Sequence, residues 1–281
     1  TVLEHNVRLD DQETFTSASI GIAIYPGDGA DASTLLKNAD TAMFRAKEKG
    51  RGSFQFYKPE MSVNAMERLD LENRIRKAVD NDEMIIHYMP TVDLHKNDVA
   101  GVEALLRWQH PEKGIIKPKD FIHVAEDCGL MVPIGQWMIE TVCKQLRAWK
   151  EAGMENQNIS INLSLQQFIK CDIVDQLSRM MAEYGIEGSE INIEVTEKTL
   201  IENEGEVKTA LNKLHKMGMT IALDDFGTGF ASLSYLKDFP IDVVKIDSTF
   251  IAGIPDSEED TAVVNAIAGV ARGLKLSLLA E

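Results

Sequence analysis

Seven apolar runs in the second part of the sequence restrict the fold more than any other feature. Amphipathic stretches with helical spacing, such as residues 134–150 and 207–216, separate most of these runs. Repeated units of one near-continuous apolar strand and one helix predict a parallel sheet, and this many units predict a (β/α) barrel rather than a sandwich. The runs begin at Met84, Val99, Ile159, Ile191, Thr220, Val243 and Leu276.

The first gap between the apolar runs is an exception to this scheme. Only residues 93–98 separate the first two runs. A helical crossover between parallel strands needs a dozen or more residues, whereas an antiparallel pair needs only a short turn. The sequence therefore predicts that the first two strands are antiparallel.

Polar residues stand near the ends of six of the predicted strands. The C-terminal ends of barrel strands share one face, and sites of this fold are built there, so residues far apart in sequence become neighbours. Side chains two positions apart on a strand point the same way, which puts Lys245 and Asp247 on one side. The polar residues are Glu103, Asn162, Glu194, Asp224 with Asp225, Asp247 and Glu281.

Carboxylates gathered in one barrel mouth repel one another unless a cation lies between them. Oxygen ligands from carboxylates and one amide favour Mg²⁺ or Mn²⁺ over zinc, which more often recruits His or Cys. The histidines have no paired i,i+4 spacing and offer no rival metal site. The sequence therefore predicts a site for a hard divalent cation.

The stretch from Thr220 to Leu236 joins a buried strand to the adjacent acids Asp224 and Asp225. Because side chains alternate along a strand, both acids can face one metal site only where the backbone turns. Glycines at positions 227 and 229 suit a loop with unusual backbone angles, and a helix is expected over residues 232–236.

Each acid also has a structural explanation when it is considered alone. Glu103 would form a salt bridge at the barrel mouth, and Asp224 with Asp225 would form a solvated turn. Glu197 would be stabilised by a helix dipole, and Asp247 would cap the following helical turn.

Composition restricts the partners of the chain. A formal net charge of −16 and the lack of Lys and Arg runs argue against binding to a DNA or RNA polymer. The three cysteines are too widely spaced for a zinc ribbon or a redox pair, so we expect reduced thiols and a cytoplasmic protein. No apolar run is long enough to span a bilayer, so no membrane contact is expected in this fragment. The sequence has no initiator Met, so we expect it to be part of a longer protein whose upstream segments would be sensory or membrane-bound.

The first sixty residues carry a different pattern. A strand is expected over residues 15–25, a helix capped by Asp31 or Ser33 over residues 32–49, and a short strand over residues 54–57. These elements cannot enclose a core unaided, so they read as the end of an α/β domain. A charged helix over residues 61–81 would connect to the barrel, and its apolar stripe would equally fit a dimer contact.

The segments SIGIAIYPGDG and NADTAMFRAKEKGRG of this first part resemble the closing third of a GGDEF domain, the diguanylate cyclase fold. The signature loop of that family is not in this sequence. The resemblance implies that the fragment does not cyclise GTP by itself. We therefore expect a GGDEF fragment over residues 1–58, a connecting helix over 59–82 and a barrel over 83–281.

The barrel part resembles an EAL domain, the phosphodiesterase that opens cyclic di-GMP to linear pGpG. The resemblance is carried by EALLRW at 103–108, NLS at 162–164, EVTE at 194–197, DDFGTGF at 224–230, KID at 245–247 and the terminal AE. It implies a TIM-like (β/α) barrel whose first strand is antiparallel, a bacterial signalling function and two bound ions of Mg²⁺ or Mn²⁺. A homodimer through the barrel, with the helix around Tyr235 as a candidate surface, is implied by the same analogy.

The resemblance also assigns roles to individual residues. Lys245 would position the attacking water, Arg107 would contact a substrate phosphate, and Glu197 would anchor the loop after Asp225. Leu105, Asp247 and Met89 would belong to the substrate site, and catalysis would involve Lys245, Glu103 and Glu281. The implied metal ligands are Glu103, Asn162, Glu194, Asp224, Asp225 and Glu281.

Three departures from the family pattern qualify these expectations. Met89 stands where the family has a Gln that contacts the ligand, and a thioether cannot donate those hydrogen bonds. His123 replaces a usual Pro. The sequence ends at Glu281, before the last barrel strand and helix of the family, and seven strands do not close an eight-stranded barrel.

Two other functions remain open at this point. A catalytically silent cyclic di-GMP receptor, signalling through the GGDEF and EAL tandem, is favoured by Met89 and disfavoured by the retained metal ligands. An enolase-type metal barrel is disfavoured because no second Lys or His base stands at a strand end.

Overall fold

The computed structural model describes residues 7–9, 12–14, 17–48, 52–154, 157–227 and 235–281. The chain divides into two compact units, Thr1–Arg74 and Ile75–Glu281. The boundary between them falls inside the helix Pro59–Asp80. Within the described residues, every helix is too short or too polar to cross a membrane.

The first unit contains two small two-stranded sheets and a long helix. Strands β1 (Val7–Leu9) and β2 (Gln12–Thr14) pair antiparallel, and β3 (Ile20–Ile22) pairs parallel with β4 (Phe54–Phe56). Helix α1 (Ala32–Glu48) crosses between β3 and β4, and helix α2 (Pro59–Asp80) follows.

Local chemistry explains how α1 begins and packs. The Asp31 carboxylate accepts a hydrogen bond from the Thr34 backbone N–H at 2.9 Å, which satisfies one of the free donors at the helix start. At Gly21 a Cβ atom would lie 1.8 Å from the Ala39 carbonyl oxygen, so α1 lies directly against β3 at a position that only glycine allows. The prediction of Asp31 as one candidate N-cap is confirmed.

The expected elements of the first unit are present with shorter bounds. The strand expected over residues 15–25 is limited to β3, and residues 15 and 16 lie outside the described part. Strands β1 and β2 were not predicted, because three-residue strands carry too little alternation to be recognised.

The second unit is built on one curved sheet. Its strands are β5 (Met84–Asp93), β6 (Asp98–His110), β7 (Gly114–Ile116), β8 (Ile159–Asn162), β9 (Ile191–Thr196), β10 (Thr220–Phe226), β11 (Val243–Ile246) and β12 (Ser277–Ala280). The order across the sheet is β12-β11-β10-β9-β8-β6-β5, and β7 pairs with β6. All seven predicted strands therefore lie in a single sheet.

The strand directions also follow the prediction. Strands β5 and β6 are antiparallel, whereas β6, β8, β9, β10, β11 and β12 form consecutive parallel pairs. Among the described residues β5 and β12 do not pair, so the sheet forms an open half-barrel. Strand β7 was not predicted, since it has only three residues.

Helices cover the outer face of this sheet. They are α3 (Ile122–Asp127), α4 (Met131–Glu151), α5 (Leu165–Lys170), α6 (Ile173–Tyr184), α7 (Glu197–Glu202), α8 (Glu204–Lys216), α9 (Tyr235–Asp238), α10 (Ser248–Ile251) and α11 (Glu258–Leu274). The helix expected over residues 232–236 is described only from Tyr235 onward; residues 228–234, with Gly229, lie outside the described part.

The two faces of the sheet differ in polarity. The outward side chains of β8 and β9, such as Ile161 and Ile193, are almost fully buried against the helices. Burying each such side chain stabilises the fold by about 1.5–3 kcal/mol. The alternate positions of the same strands, Ser160 and Asn192, are polar and point inward, where Asn192 Nδ2 lies 3.4 Å from Ser160 Oγ. The inner face of the sheet is therefore polar.

Candidate active site

The polar residues predicted from the strand ends meet around one buried lysine. Lys245, on β11, is 1% exposed. Its Nζ atom lies 2.6 Å from Glu194 Oε2, 2.7 Å from Glu281 Oε1, 3.1 Å from Asp224 Oδ1 and 3.3 Å from Glu103 Oε2. One ammonium group thus contacts carboxylates from four other strands or strand ends.

Asn162, the last residue of β8, joins this group through Glu103. Its Nδ2 atom donates a hydrogen bond to Glu103 Oε1 at 2.8 Å. Register explains the meeting, because Glu103 pairs with Ser160 and Asn162 pairs with Glu194 across neighbouring parallel strands. The amide therefore fixes the orientation of the Glu103 carboxylate.

A local irregularity in β10 brings both adjacent aspartates to the site. Asp225 has φ 54, in the left-handed region, and the register of β10 against β11 shifts between Leu223 and Phe226. Oxygens of Asp224, Asp225 and Glu281 all lie within 4.8 Å of one another. The expected backbone turn therefore occurs at Asp225 itself, which stands inside the strand rather than after it.

The glycine that follows is held by Glu197, the first residue of α7. The Gly227 backbone N–H donates to Glu197 Oε1 at 2.9 Å, and Glu197 is 6% exposed. Gly227 has φ 99, and a Cβ there would lie 3.1 Å from the Phe250 ring. The contact is the one expected of a loop anchor, although residues 228–234 of that loop lie outside the described part.

Asp247 caps a short helix beside the site. Its carboxylate accepts hydrogen bonds from the Thr249 backbone N–H at 2.9 Å and from the Thr249 hydroxyl. These hydrogen bonds lower the pKa of Asp247. The capping role considered from the sequence is therefore confirmed. The negative charge of Asp247 also raises the pKa of Asp225.

Electrostatics shows that the cluster carries more negative charge than Lys245 neutralises. Burial raises the pKa of Glu194 to about 7, with the charges of Glu103 and Asp224 adding to burial and Lys245 opposing it. Burial also raises the pKa of Asp225, and the neighbouring acids Asp224, Asp247 and Glu281 raise it further. For Lys245, burial lowers the pKa, but Glu194, Asp224 and Glu103 outweigh it and raise the pKa overall. The lysine therefore holds its proton.

The donor set fits a hard divalent cation. It consists of carboxylate oxygens and one amide, without sulfur or imidazole, and its excess negative charge is what a dication relieves. The outer part, at Asp225 and Glu281, is exposed and open to ligands. The inner part, at Glu103 and Glu194, is buried and contacts Lys245.

The predicted substrate residues lie on the same face of the sheet. Cross-strand partners share a face, and Met89 pairs with Glu103 while Ile85 pairs with Arg107. Met89 is 46% exposed and faces the mouth. The Arg107 Nη1 atom donates to the Leu106 carbonyl at 2.7 Å, which folds the guanidinium back over its own strand. Leu105 stands between Glu103 and Arg107.

Two features of the site were missed from the sequence. Ser164 begins α5 in a capping box, in which Gln167 Oε1 accepts from the Ser164 N–H and from its hydroxyl, each at 2.9 Å. The Ser-x-x-Gln pattern at 164–167 is a known signal for this arrangement. It fixes the chain directly after Asn162. The close packing of Gln167 on Gly135 had no comparable signal.

Two surface cavities lie away from the acids. One of about 540 Å³ is lined by α5, α6 and α8 residues, including Cys171 and Lys213. Another of about 530 Å³ lies beside Glu83 and His110. We assign the chemistry to the acid cluster rather than to either cavity, because only the cluster gathers metal-type ligands around a buried cation.

Comparison with known proteins gives two family matches. The family described as EAL domain matches residues 72–281, and the family described as diguanylate cyclase, GGDEF domain, matches residues 1–53. The first match covers most of the chain and all of the residues gathered around Lys245.

Curated relatives and a solved structure agree with these matches. The chain is 40% identical over 280 residues, all of its length, to the bifunctional diguanylate cyclase/cyclic di-GMP phosphodiesterase MucR of Pseudomonas aeruginosa, and covers 40% of it. It is 41% identical over 269 residues, 96% of its length, to the cyclic di-GMP phosphodiesterase PdeR of Escherichia coli, again covering 40% of that protein. A solved structure titled PaMucR phosphodiesterase, c-di-GMP complex, superposes with a TM-score of 0.72 at 38% identity, covering 75% of this chain and 85% of that one.

Proposed function

The chain belongs to the EAL domain family, and from this premise we propose that it hydrolyses cyclic di-GMP to linear pGpG with two bound divalent cations, Mg²⁺ or Mn²⁺. The chain spans about 40% of the length of the curated relatives named above, so the activity is proposed for the barrel within a longer protein. The observation that carries the proposal is the convergence of four carboxylates on Lys245 at the mouth of the half-barrel.

The reaction sets the tasks that the site must perform. A water oxygen bonds to phosphorus, the bond from phosphorus to the 3′ oxygen breaks, and that oxygen takes up a proton. A phosphodiester is anionic and resists attack, and two divalent cations supply what the protein groups lack, since they acidify a water molecule and neutralise the phosphate oxygens. The ligands assigned to them are Glu103, Asn162, Glu194, Asp224, Asp225 and Glu281.

Lys245 orients the attacking water in this proposal. Its ion pairs keep it protonated, so it donates hydrogen bonds and does not accept the proton of the water. Glu281 is the group assigned to take that proton. Its side chain contacts Lys245 yet is 25% exposed, so it reaches both the lysine and the solvent.

Arg107 and Asp247 act on the substrate rather than on the bond that breaks. Arg107 lies two interior positions beyond Glu103 on β6, where its guanidinium can leave the Leu106 carbonyl for a phosphate oxygen. Asp247 is a carboxylate acceptor at the rim, held in place by Thr249. Glu197 keeps the turn after Asp225 in position through Gly227.

The activity can be tested with the purified full-length protein. We expect conversion of cyclic di-GMP to pGpG, followed by chromatography, that requires Mg²⁺ or Mn²⁺ and stops with a chelator. Asp224→Asn should reduce turnover at least about 100-fold, whereas Glu140→Gln, in an exposed pair on α4, should leave it unchanged. No turnover by the full-length protein with either ion would refute the proposal.

A catalytically silent cyclic di-GMP receptor is the second candidate. The observation that favours it is Met89. This exposed residue lies opposite Glu103 and replaces the hydrogen-bonding Gln of the family. Calorimetry with Ca²⁺ in place of Mg²⁺ separates the two functions when it is combined with the turnover assay. Tight binding without turnover supports the receptor, and turnover excludes it.

A further inference from the structure

His87 lies on the site face of the sheet, although no sequence pattern assigns it a role. The register of β5 against β6 pairs His87 with Leu105, two positions from the pair of Met89 and Glu103. Cross-strand partners share a face, so His87 points to the same side as the acids. Its neighbour Tyr88 points to the opposite side and packs against the helical layer, where its ring meets Trp149.

The His87 imidazole differs from the other polar groups of the mouth because it is not engaged. It is exposed, and among the described residues it makes no hydrogen bond, ion pair or ring contact. Glu103 is bound by Asn162 and Lys245, and Arg107 is bound by the Leu106 carbonyl. The His87 backbone belongs to the ten-residue strand β5, which positions the ring on this face while leaving it exposed to a ligand.

The position of His87 is midway between two charged ends of the site. Residues two positions apart on a strand are about 7 Å apart. Glu103, Leu105 and Arg107 are therefore spaced at intervals of about 7 Å along β6, towards the mouth. His87 stands opposite the middle one. A nucleotide whose phosphate lies at the acids extends its sugar and base over that middle step.

The surroundings of His87 favour contact with a ring face. Its neighbours on this face are Leu105 across the strand pair and Ile85 and Met89 along its own strand. None of these side chains offers a hydrogen-bond donor. A purine laid on them covers apolar surface, and the imidazole, unlike those three side chains, has a flat π face, which stacks well on bases.

We propose that His87 contacts the substrate by stacking its imidazole ring on a guanine base of cyclic di-GMP, and so sets the affinity of the site. This inference rests on the proposed function, since it presumes that a cyclic dinucleotide occupies the mouth. The residue has no part in bond cleavage, because it lies one step away from the carboxylates that Lys245 gathers.

The test uses the full-length protein and three substitutions of one residue. His87→Ala removes the ring, His87→Gln keeps hydrogen-bonding capacity without a ring, and His87→Phe keeps a ring without hydrogen bonds. His95→Ala is the control, because His95 is exposed in the turn after the same strand, away from the site face, and its backbone N–H donates a hydrogen bond to Asp93 that the substitution keeps. Binding of cyclic di-GMP is measured by calorimetry with Ca²⁺, and KM and kcat are measured with Mn²⁺.

We expect His87→Ala and His87→Gln to raise Kd and KM roughly tenfold, with a smaller change in kcat, whereas His87→Phe and His95→Ala stay within about threefold of the wild type. Unchanged Kd in His87→Ala overturns the proposal. So does the opposite ranking, with His87→Gln like the wild type and His87→Phe weakened, because that result indicates a hydrogen bond. A wild-type protein that neither binds nor cleaves cyclic di-GMP refutes the proposed function itself, and the role of His87 falls with it.

Discussion

Glu103 and Glu194 lie at the floor of the acid cluster, whereas Asp225 and Glu281 lie at its rim, and the two pairs differ in burial and in partners. The floor acids are 7% and 2% exposed and contact Lys245 at 3.3 and 2.6 Å. The rim acids are exposed: a turn in the backbone brings Asp225 to the rim, and Glu281, whose side chain is 25% exposed, also contacts Lys245, at 2.7 Å. Asp224 joins the two pairs, since it contacts Lys245 and lies beside Asp225.

The difference in burial separates two roles of the acids, one in the stability of the fold and one in binding a cation. The floor acids are part of the folded core, so their charge must be compensated within the protein for the sheet to form. The rim acids face the solvent, from which a cation reaches them. We therefore expect substitutions at the floor to change stability and activity together. Substitutions at the rim that leave the backbone unstrained should change activity alone.

The largest expected effect follows from Lys245→Met, which removes the only cation that the floor acids contact in the described part of the chain. Breaking a buried ion pair on one side leaves an uncompensated charge and costs about 3–5 kcal/mol. We expect a decrease of that size in the free energy of unfolding, measured with urea in a chelator, and loss of turnover. Lys144→Ala, in an exposed pair on α4, should cost less than about 0.5 kcal/mol.

A Lys245→Met protein as stable as the wild type would remove the basis for separating floor from rim. Addition of Mn²⁺ sharpens the result. If a bound dication compensates the carboxylates in place of the lysine ammonium, Mn²⁺ should restore part of the lost stability. A variant whose stability does not rise with Mn²⁺ would contradict this compensation.

Glu194→Gln is expected to have the next largest effect. Burial raises the pKa of Glu194 to about 7, above the ordinary value of 4.5, so its contribution to stability is fully present below pH 4.5 and is lost as the pH rises through 7. In a chelator, the wild type should lose stability over this pH range more steeply than the variant. The variant should also bind Mn²⁺ about tenfold more weakly.

The pH dependence is read from urea unfolding at pH 5, 6, 7 and 8. Parallel curves for Glu194→Gln and the wild type would show that the Glu194 charge is fully compensated in the folded protein. That outcome would assign the excess charge of the cluster to the rim acids instead.

Asp225 gives a test of the rim with a matched pair of variants. Asn adopts left-handed backbone angles as Asp does, whereas Ala does so at a cost of about 1–2 kcal/mol. We expect both Asp225→Asn and Asp225→Ala to weaken Mn²⁺ binding, but only Asp225→Ala to lower the free energy of unfolding, because φ is 54 at this position. If Asp225→Asn is as destabilised as Asp225→Ala, the carboxylate itself holds the rim together and the separation from the floor fails.

The sequence predicted the sheet well because burial on the outer face leaves a strong pattern. Seven apolar runs became seven strands in one sheet, with the antiparallel first pair that the short gap before Asp98 requires. Polar strand ends such as Asn162 and Glu194 came together because parallel strands place those ends on one edge. These features depend on periodicity and connection length, which are local.

The sequence did not predict the internal order of the cluster. The central place of Lys245 depends on four strands at once, and a lysine on a strand gives no signal that it will be buried. The unusual backbone angle expected at Gly227 is present, with φ 99, but the left-handed angle at Asp225 was not predicted. The shared face of His87 required the observed register of β5 against β6, because the nearly continuous apolar run over residues 84–90 has no clear alternation that would mark its inward face.

The smallest expected effect is at Asp247, which stands at the rim but is held by the fold. Asp247→Asn keeps an oxygen that accepts from the Thr249 N–H, so the cap of α10 should persist and the free energy of unfolding should change by less than about 0.5 kcal/mol. Asp247→Ala loses the cap and should cost about 1 kcal/mol. Urea unfolding compares the two. Equal stability in both variants would mean that the cap contributes nothing, and Asp247 would then belong with Asp225 as a rim acid that serves ligands alone.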